Sequence, residues 1–299
     1  MTTKKYKLIA NPAAGRGRSG ETVFRVLELL KARGVEFDLE LTKGPRDAAI
    51  IARKALEGFD VIVAIGGDGT INEIMPGMLF SDKPLGIVPA GSGNDFIKSM
   101  GIPNNTNKAV DILLKGNARS IDVGKINGTY FANGVGIGFD AAVNRASYTI
   151  NHSKRGLFLY FCALLKTLGK YGAVPLAITI NGEIFNQSTF LLTVGNGTTV
   201  GGGFKLTPRA KVDDGLLDVT IVKPLALPVL LWHLPKVFLG TIERVKKYAT
   251  LLRTEKLTVV ATGPVPVHVD GEIYGNGETR FEIEVVPKAL RVIGNFSGS

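Results

Sequence analysis

The sequence is poor in cysteine and histidine, and this excludes several classes of protein. Cys162 is the single cysteine among 299 residues, so no intramolecular disulfide can form. A disulfide-stapled secreted domain is therefore excluded, and a reducing compartment fits the composition. The three histidines, His152, His233 and His268, lack the spacing of metal ligands, which argues against a zinc centre.

Long uninterrupted apolar runs are also missing. The most apolar stretch, LALPVLLWHLPKVFLG (225–240), contains two prolines, a histidine and a lysine, and it is too short and too broken to span a bilayer. The first residues, MTTKKYKLIANP, include no long apolar stretch and no cleavage-like site, so no signal peptide is expected. We expect a cytoplasmic protein.

The P-loop motif G-x-x-x-x-G-K-[ST] does not occur, which excludes a P-loop NTPase. The formal net charge of +10 favours an anionic partner, such as a nucleotide, a nucleic acid or an acidic lipid headgroup. No basic stripe alternates with aromatic residues, and no zinc, helix-turn-helix or RNA-recognition signature is present, so nucleic acid is not expected as a partner.

The pattern of apolar residues predicts two domains. Residues 1–124 alternate short apolar strands with helical patterns, which is typical of a doubly wound parallel α/β domain. Residues 125–287 contain shorter strand-like pieces separated by Asn-Gly and Asp-Gly turns, which predict a mostly β domain. Two helical stretches, 156–171 and 227–252, are expected to interrupt it.

Two glycine-rich loops, GGDGT (66–70) and AGSGND (90–95), each follow a predicted strand, and each contains an aspartate, Asp68 or Asp95. A lone Gly-Asp-Gly is most simply a tight turn. Two successive loops at the carboxyl ends of parallel strands instead predict a metal–nucleotide site, because their amides suit phosphate and their carboxylates suit Mg²⁺. Ser92 would add a hydroxyl donor.

Two further glycine-rich segments give weaker signals. NPAAGRGRSG (11–20) contains G-x-G-x-x-G, but Arg16 and Arg18 crowd the position where a pyrophosphate would approach, so a dinucleotide site is disfavoured and a phosphate site is kept. NGVGIGFD (133–140) is interpreted as close packing between a strand and a helix.

Taken together, NPAAG, GGDGTINE, GSGNDF, IDVGK, GFDA, KVDDGLLDV and HVDGE resemble the diacylglycerol kinase catalytic-domain family in order and spacing, and more narrowly its stand-alone bacterial lipid kinases. The resemblance implies an NAD kinase/phosphofructokinase-like α/β domain and a C-terminal β-sandwich domain with helical insertions, with ATP in the cleft between them. It also implies that residues 288–299 return to the first domain.

The resemblance assigns roles to individual residues. Asp68, Asp95 and Asp122 would form an acidic network around a catalytic Mg²⁺, and Glu272 would be the general base with Asp270 beside it. A structural Mg²⁺ would be bound at Lys211, Asp214 and Leu216, largely through main-chain oxygens. Contacts to ATP would come from Asn11, Pro12, Ala13, Ala14, Gly15, Thr42, Gly67, Asp68, Gly69, Thr70, Ile71, Asn72, Glu73 and Ser92.

The sequence departs from the family pattern at two of these positions. Ser92 stands where threonine is usual and keeps the hydroxyl, whereas Ala14 stands where serine is frequent and removes one possible phosphate contact. Taken alone, the DGE at 270–272 and the DDG at 213–215 would each be interpreted as a turn.

Three functions remain open from the sequence. The favoured one is an ATP- and Mg²⁺-dependent lipid kinase acting on diacylglycerol, or on a sphingoid base or another neutral lipid, at a membrane surface where anionic lipid is favoured. The others are a soluble kinase of NAD-kinase type and a non-catalytic lipid or nucleotide sensor. Trp232 is expected in the core or at a domain interface, or, in a second interpretation, facing lipid. Exposed sheet edges make a homodimer plausible.

Overall fold

The computed structural model describes residues 4–12, 19–149, 156–169, 171–275 and 277–296, without the side chains of 156–160. The chain divides into two compact units. The first comprises Met1–Asp122 and Pro287–Ser299, and the second comprises Val123–Val286. These bounds lie close to the predicted ones at 124 and 287, and the C-terminal segment belongs to the first unit.

The regular elements are numbered in chain order. The helices are α1 Ser19–Ala32, α2 Asp47–Ala55, α3 Asp68–Met78, α4 Phe96–Ser99, α5 Thr106–Lys115, α6 Phe139–Ser147, α7 Gly156–Leu168 and α8 Leu227–Leu239. The strands are β1 Lys5–Ala10, β2 Glu36–Leu41, β3 Val61–Gly66, β4 Leu85–Pro89, β5 Ala118–Ile126, β6 Thr129–Phe131, β7 Gly134–Gly138, β8 Val174–Ile180, β9 Glu183–Thr189, β10 Leu191–Gly195, β11 Leu217–Val222, β12 Ala249–Thr254, β13 Lys256–Ala261, β14 Val267–Val269, β15 Glu272–Tyr274 and β16 Arg280–Ile293.

The first unit contains a parallel sheet in the order β2-β1-β3-β4, and the C-terminal part of β16 adds to β4 in parallel. Every residue of β3 and β4 is buried, as expected for central strands covered on both faces. The helix α1 packs beside α5, and α2 packs beside α3. The predicted doubly wound α/β fold is confirmed.

The register of the pairing aligns the carboxyl ends of neighbouring strands in this sheet. Ala10 pairs with Leu41 on one side and with Ile65 on the other, and Gly66 pairs with Pro89. The segments that follow β1, β2, β3 and β4 therefore emerge at one edge of the sheet, where ligands of such folds bind.

The second unit is a β-sandwich, as predicted from the resemblance. One antiparallel sheet has the order β12-β11-β10-β7-β14-β15, and the other places β13 between β8 and the N-terminal part of β16, with β9 next to β8. Side chains from both sheets form the core between them, among them Phe131, Ile178, Leu192, Val219 and Phe281. Inward-facing side chains of two sheets pack this way in sandwiches.

A second core lies within this unit, where α6, α7 and α8 pack with residues of the six-stranded sheet. The predicted helix over 227–252 is wrong beyond Leu239. Gly240 adopts a left-handed conformation (φ 72°) and its N–H donates to the carbonyls of Lys236 and Val237, which ends α8. A short 3₁₀ turn follows, and β12 then pairs with β11.

Trp232 is not a core residue, and the expectation that it is buried is wrong. Its side chain lies on α8 and is 77% exposed. Within the described part of the chain, no helix combines the length and the apolar character needed to cross a membrane.

Glycine at position 77 allows α3 to approach α2, and this can be tested. A Cβ at Gly77 would overlap the carbonyl oxygen of Ala49, whereas a Cβ at Gly20 in α1 would meet nothing within 4 Å. We expect Gly77→Ala to destabilise the protein by about 1 to 3 kcal/mol, because overpacking forces the helices apart. Gly20→Ala should be neutral or slightly stabilising. Thermal melting of both variants checks this, and equal melting temperatures would contradict the packing argument.

Candidate active site

The two glycine-rich loops of the first unit touch each other through their backbones. The N–H of Ala90 donates to the carbonyl of Gly66 at 2.8 Å. A Cβ at Gly67 would lie 2.9 Å from the Cα of Gly91, closer than real Cβ atoms approach. Glycine is required at these positions because any side chain would separate the two loops.

Asp68, the first residue of α3, joins these loops through its side chain. Its Oδ2 accepts the N–H of Asp95 and its Oδ1 accepts the N–H of Phe96, both at 3.0 Å. Asp95 is buried, and its carboxylate lies 2.6 Å from the Nζ of Lys98. The structure thus brings together two of the three predicted acidic residues.

The third, Asp122, is buried, and its Oδ1 accepts the N–H of Lys288 at 2.8 Å. Among the described residues, no group of three His, Cys, Asp or Glu side chains is arranged to hold a metal ion. The acidic network around Mg²⁺ therefore stays a prediction.

The other predicted nucleotide contacts follow the same strands. Asn11 and Pro12 come directly after β1, and Thr42 comes after β2, where its N–H donates to the carbonyl of Ala10 at 3.0 Å. Ala13, Ala14 and Gly15 lie outside the described residues. In the first turns of α3, Thr70 and Ile71 are buried, while Gly69, Asn72 and Glu73 are partly exposed. Ser92 is exposed in the second loop.

Two features of this edge suit a phosphate-bearing ligand. The residue preceding α3 is Gly67, which gives the helix N-terminus no side-chain cap, so its first amides can serve an external anion. The Oδ1 of Asn94 is buried and has no hydrogen-bond partner among the described residues, although its Nδ2 donates to the carbonyl of Gly91 at 2.9 Å. A buried acceptor of this kind is available to a donor on a ligand.

In the second unit, Asp270 organises the hairpin between β14 and β15. Asp270 and Gly271 both have positive φ (49° and 84°), as in the tight turns that match strand twist. The Asp270 carboxylate accepts the N–H groups of Ala132, Asn133 and Gly134 at 2.7 to 2.9 Å. Burial raises the pKa of Asp270, and these three donors and His268 oppose the rise. Because these contacts are to backbone N–H groups, Asp270 positions the hairpin.

Glu272 is the first residue of β15, and its side chain is exposed. Its Oε2 accepts a hydrogen bond from the hydroxyl of Tyr148 at 3.2 Å, and that hydroxyl also lies 3.1 Å from the carbonyl of Gly271. Burial, and then the charge of Glu272, raise the pKa of Tyr148 to about 12. Tyr148 therefore stays protonated near neutral pH and can donate to Glu272. The Nδ2 of Asn144 donates to the carbonyl of Gly271 at 2.7 Å.

A buried polar cluster sits beside this hairpin. Thr193, Gly136 and His268 are neighbours across β10, β7 and β14. Asp140 reaches this point from α6, where its Oδ2 accepts the Thr193 hydroxyl at 3.0 Å and lies 3.7 Å from His268 Nε2. A Cβ at Gly136 would overlap both Asp140 and His268, so the expected close packing of strand and helix is confirmed.

An apolar cavity opens next to this cluster, with about 900 Å³ of space not filled by protein, including its open mouth. Its wall comes from the helices and the six-stranded sheet of the second unit, and Asp140 and His268 are among the polar groups that line it. We call it the apolar cavity. The apolar lining includes Phe139, Leu164, Phe190, Phe204, Leu230 and Val237.

The sequence did not single out Asn144, Tyr148 or the Asp140–His268 pair as functional. Asn144, Tyr148 and Asp140 each lie more than a hundred residues before their partners in β14, β15 and the turn between them, and the pairing of β14 with β7 brings the two regions together. The GFDA motif containing Asp140 was the available signal, and it was assigned to packing.

The predicted structural metal site lies in the turn before β11. There the carboxylate of Asp214 is ion-paired with Arg253, and its Oδ1 accepts the N–H of Leu216 at 3.2 Å. Lys211 is exposed. The predicted Mg²⁺ would be held largely by main-chain oxygens, so the ion pair of the Asp214 side chain does not test it and the site stays a prediction.

Comparisons with known proteins agree on one family. Residues 5–126 match the family model of the diacylglycerol kinase catalytic domain. Residues 133–294 match the model described as the YegS C-terminal NAD kinase beta sandwich-like domain. The two models together cover most of both units.

Relatives and solved structures lead to the same assignment. The chain is 31% identical to a diacylglycerol kinase of Mycobacterium tuberculosis over 97% of its own length and 94% of the relative's. It is 33% identical to a diacylglycerol kinase of Staphylococcus aureus, covering 74% of this chain and 71% of the relative.

Among solved structures, a candidate diacylglycerol kinase from Bacillus anthracis str. Sterne superposes with a TM-score of 0.84 at 28% identity, covering 100% of this chain and 98% of that one. A diacylglycerol kinase from the same strain gives 0.78 at 25% identity, with both chains covered completely. The chain therefore belongs to the diacylglycerol kinase catalytic-domain family and is a lipid kinase.

Proposed function

We propose that the enzyme transfers the γ-phosphoryl group of Mg-ATP to the hydroxyl of diacylglycerol, giving phosphatidic acid. The observation that carries this proposal is the apolar cavity of the second unit, which has a carboxylate and a histidine in its wall. Such a cavity suits a substrate with long acyl chains and a small polar head.

The first unit would bind the nucleotide. The uncapped N-terminus of α3 and the amides of the two glycine-rich loops would donate to phosphate oxygens. Bound Mg²⁺ would neutralise the charge that develops on the transferred phosphoryl group. Asp68 and Asp95 are the residues that would face it, because both carboxylates lie at this loop pair.

Glu272 would act as the general base. As the lipid hydroxyl attacks the γ-phosphorus, its O–H bond breaks and the proton passes to the Glu272 carboxylate, while the bond to the departing ADP breaks. Tyr148 orients the carboxylate by donating to Oε2. Asp270 holds the hairpin that carries it.

The second unit would bind the lipid. Acyl chains would lie against the apolar wall of the cavity, and Asp140 and His268 would face the glycerol part of the substrate. NAD is disfavoured as the acceptor, because a polar dinucleotide would make no use of the apolar wall of the cavity. The third possibility, a sensor, predicts binding of nucleotide and lipid without turnover.

The role of Glu272 can be tested by Glu272→Gln. We expect kcat to fall by about 10²- to 10⁴-fold, because the amide cannot take the proton. The melting temperature should stay unchanged, since the side chain is exposed. The assay is transfer of labelled γ-phosphate from Mg-ATP to lipids in mixed micelles.

The matched control is Glu255→Gln, an exposed carboxylate of the same unit, which should keep full activity. The acceptor panel contains diacylglycerol, monoacylglycerol, ceramide, sphingosine and NAD. Label in NAD alone would overturn the lipid proposal, and ATP binding without label in any acceptor would favour the sensor.

A different outcome is expected for Asp270→Asn. An amide offers one acceptor oxygen in place of two, so at least one of the three N–H donors loses its partner. We expect a loss of about 2 to 4 kcal/mol in stability, seen as a lower melting temperature. Activity should fall while the pH profile keeps its shape, because Glu272 still accepts the proton. A normal melting temperature with abolished activity would make Asp270 catalytic.

The cavity's role can be tested by Leu234→Trp, which fills space in its wall. We expect KM for long-chain diacylglycerol to rise by roughly tenfold or more, because the indole occupies space that the acyl chains would fill, with KM for ATP unchanged. Ile184→Trp is the control, since Ile184 is 65% exposed on β9 of the same unit and does not line the cavity. Equal KM values for the two variants would show that acyl chains lie elsewhere.

A further inference from the structure

The helix α8 has an exposed apolar face that its fold does not cover. Leu227, Leu231, Trp232 and Leu239 are 47%, 43%, 77% and 72% exposed, and we call them the outer face of α8. No residue of this thirteen-residue helix is fully buried. Single exposed apolar side chains are ordinary, but four on one short helix mark an interaction surface.

The opposite face of α8 lines the apolar cavity. Leu230, Leu234 and Val237 contribute to the cavity wall together with His233. At 100° per residue the cavity-lining positions share one side of the helix, Trp232 and Leu239 lie on the opposite side, and Leu227 and Leu231 lie between the two. A helix that is apolar all round normally lies inside a protein or against lipid. Here one side faces the cavity and the other is exposed.

The sequence of α8 and on either side of it is basic. The segment 223–248 contains one acidic residue, Glu243, which pairs with Arg209 at 2.5 Å. The basic residues of this segment are Lys223, Lys236, Arg244, Lys246 and Lys247. All of them except the partly exposed Lys236 are exposed. Apolar side chains, a tryptophan and flanking lysines are what helices lying in a membrane interface combine.

We propose that the outer face of α8 inserts into the headgroup region of an anionic bilayer, so that the lipid passes from the bilayer past α8 into the apolar cavity. This inference rests on the proposed lipid substrate. A lipid entering beside α8 keeps its acyl chains in contact with apolar surface, whereas one crossing water exposes them.

The charge pattern favours a bilayer over a second copy of this chain. In a two-fold dimer through α8 the same patch meets itself, so the basic residues of one copy would face those of the other. Anionic headgroups would instead neutralise them. A membrane interface can also bury a single exposed apolar face of a helix, which is what α8 offers.

The chain offers a direct probe, because Trp232 is its only tryptophan. Its emission should shift to shorter wavelength on addition of phosphatidylcholine vesicles that contain phosphatidylglycerol, and shift less with phosphatidylcholine alone. Raised salt should reduce the shift. An unchanged spectrum with anionic vesicles would overturn the proposal. A shift that follows protein concentration without vesicles would indicate the second copy instead.

The matched variants are the double substitution Leu231→Asp with Leu239→Asp, and Ile184→Asp as the control. Ile184 is 65% exposed on β9 of the same unit, outside α8. We expect the α8 variant to lose at least tenfold in vesicle binding measured by sedimentation, and the control to bind as the unsubstituted protein does. Equal loss in both would contradict docking through α8.

Activity on two forms of substrate separates this inference from the proposed function. A short-chain diacylglycerol dissolved below its critical micelle concentration needs no membrane, so the α8 variant should phosphorylate it at the same rate as the unsubstituted protein. With long-chain diacylglycerol in anionic vesicles, the α8 variant should lose activity. Failure of the unsubstituted protein on both substrates would overturn the proposed function. Equal rates of the variant and the unsubstituted protein on vesicles would overturn docking alone.

Discussion

The second unit depends on one partly buried carboxylate that binds three backbone amides. Asp270 accepts the N–H groups of Ala132, Asn133 and Gly134, and this ties the β14–β15 hairpin to the segment that leads into β7. Three bonds to a charged acceptor cannot rearrange without leaving a donor unpaired, which is costly in a buried site. The next strand begins with Glu272, so a rigid anchor lies two residues from an exposed carboxylate. Rigid support of this kind is what a catalytic group needs.

The first unit uses the same device. Asp68 accepts two N–H groups of the following loop, and the loop pair can approach only because Gly67 and Gly91 lack side chains. In both units an aspartate next to glycine in the sequence thus has an observed structural task. Asp68 is partly exposed and accepts two backbone donors, whereas the Asp270 carboxylate accepts three.

The helix α8 shows how one element can serve two surfaces. Its inner side completes the wall of the apolar cavity, and its outer side exposes Trp232 and Leu239. The hydrophobic pattern of this segment predicts a helix, but it does not predict which side of the helix is exposed, because nearly every position is apolar. The prediction that Trp232 is buried failed for this reason. The prediction that the helix continues to residue 252 failed because Gly240 ends it and β11 offers an edge on which 249–254 pairs.

Local sequence alone determined the alternation of strands and helices in the first unit, the two glycine-rich loops, and the family, because turn chemistry and hydrophobic period act over a few residues. The resemblance to the family also predicted roles for Glu272 and Asp68. Tertiary structure alone decided which groups meet: Tyr148 with Glu272, Asp140 with His268, and Arg253 with Asp214. Those partners are 39 to 128 residues apart in the sequence, so only the pairing of strands and the packing of helices brings them together.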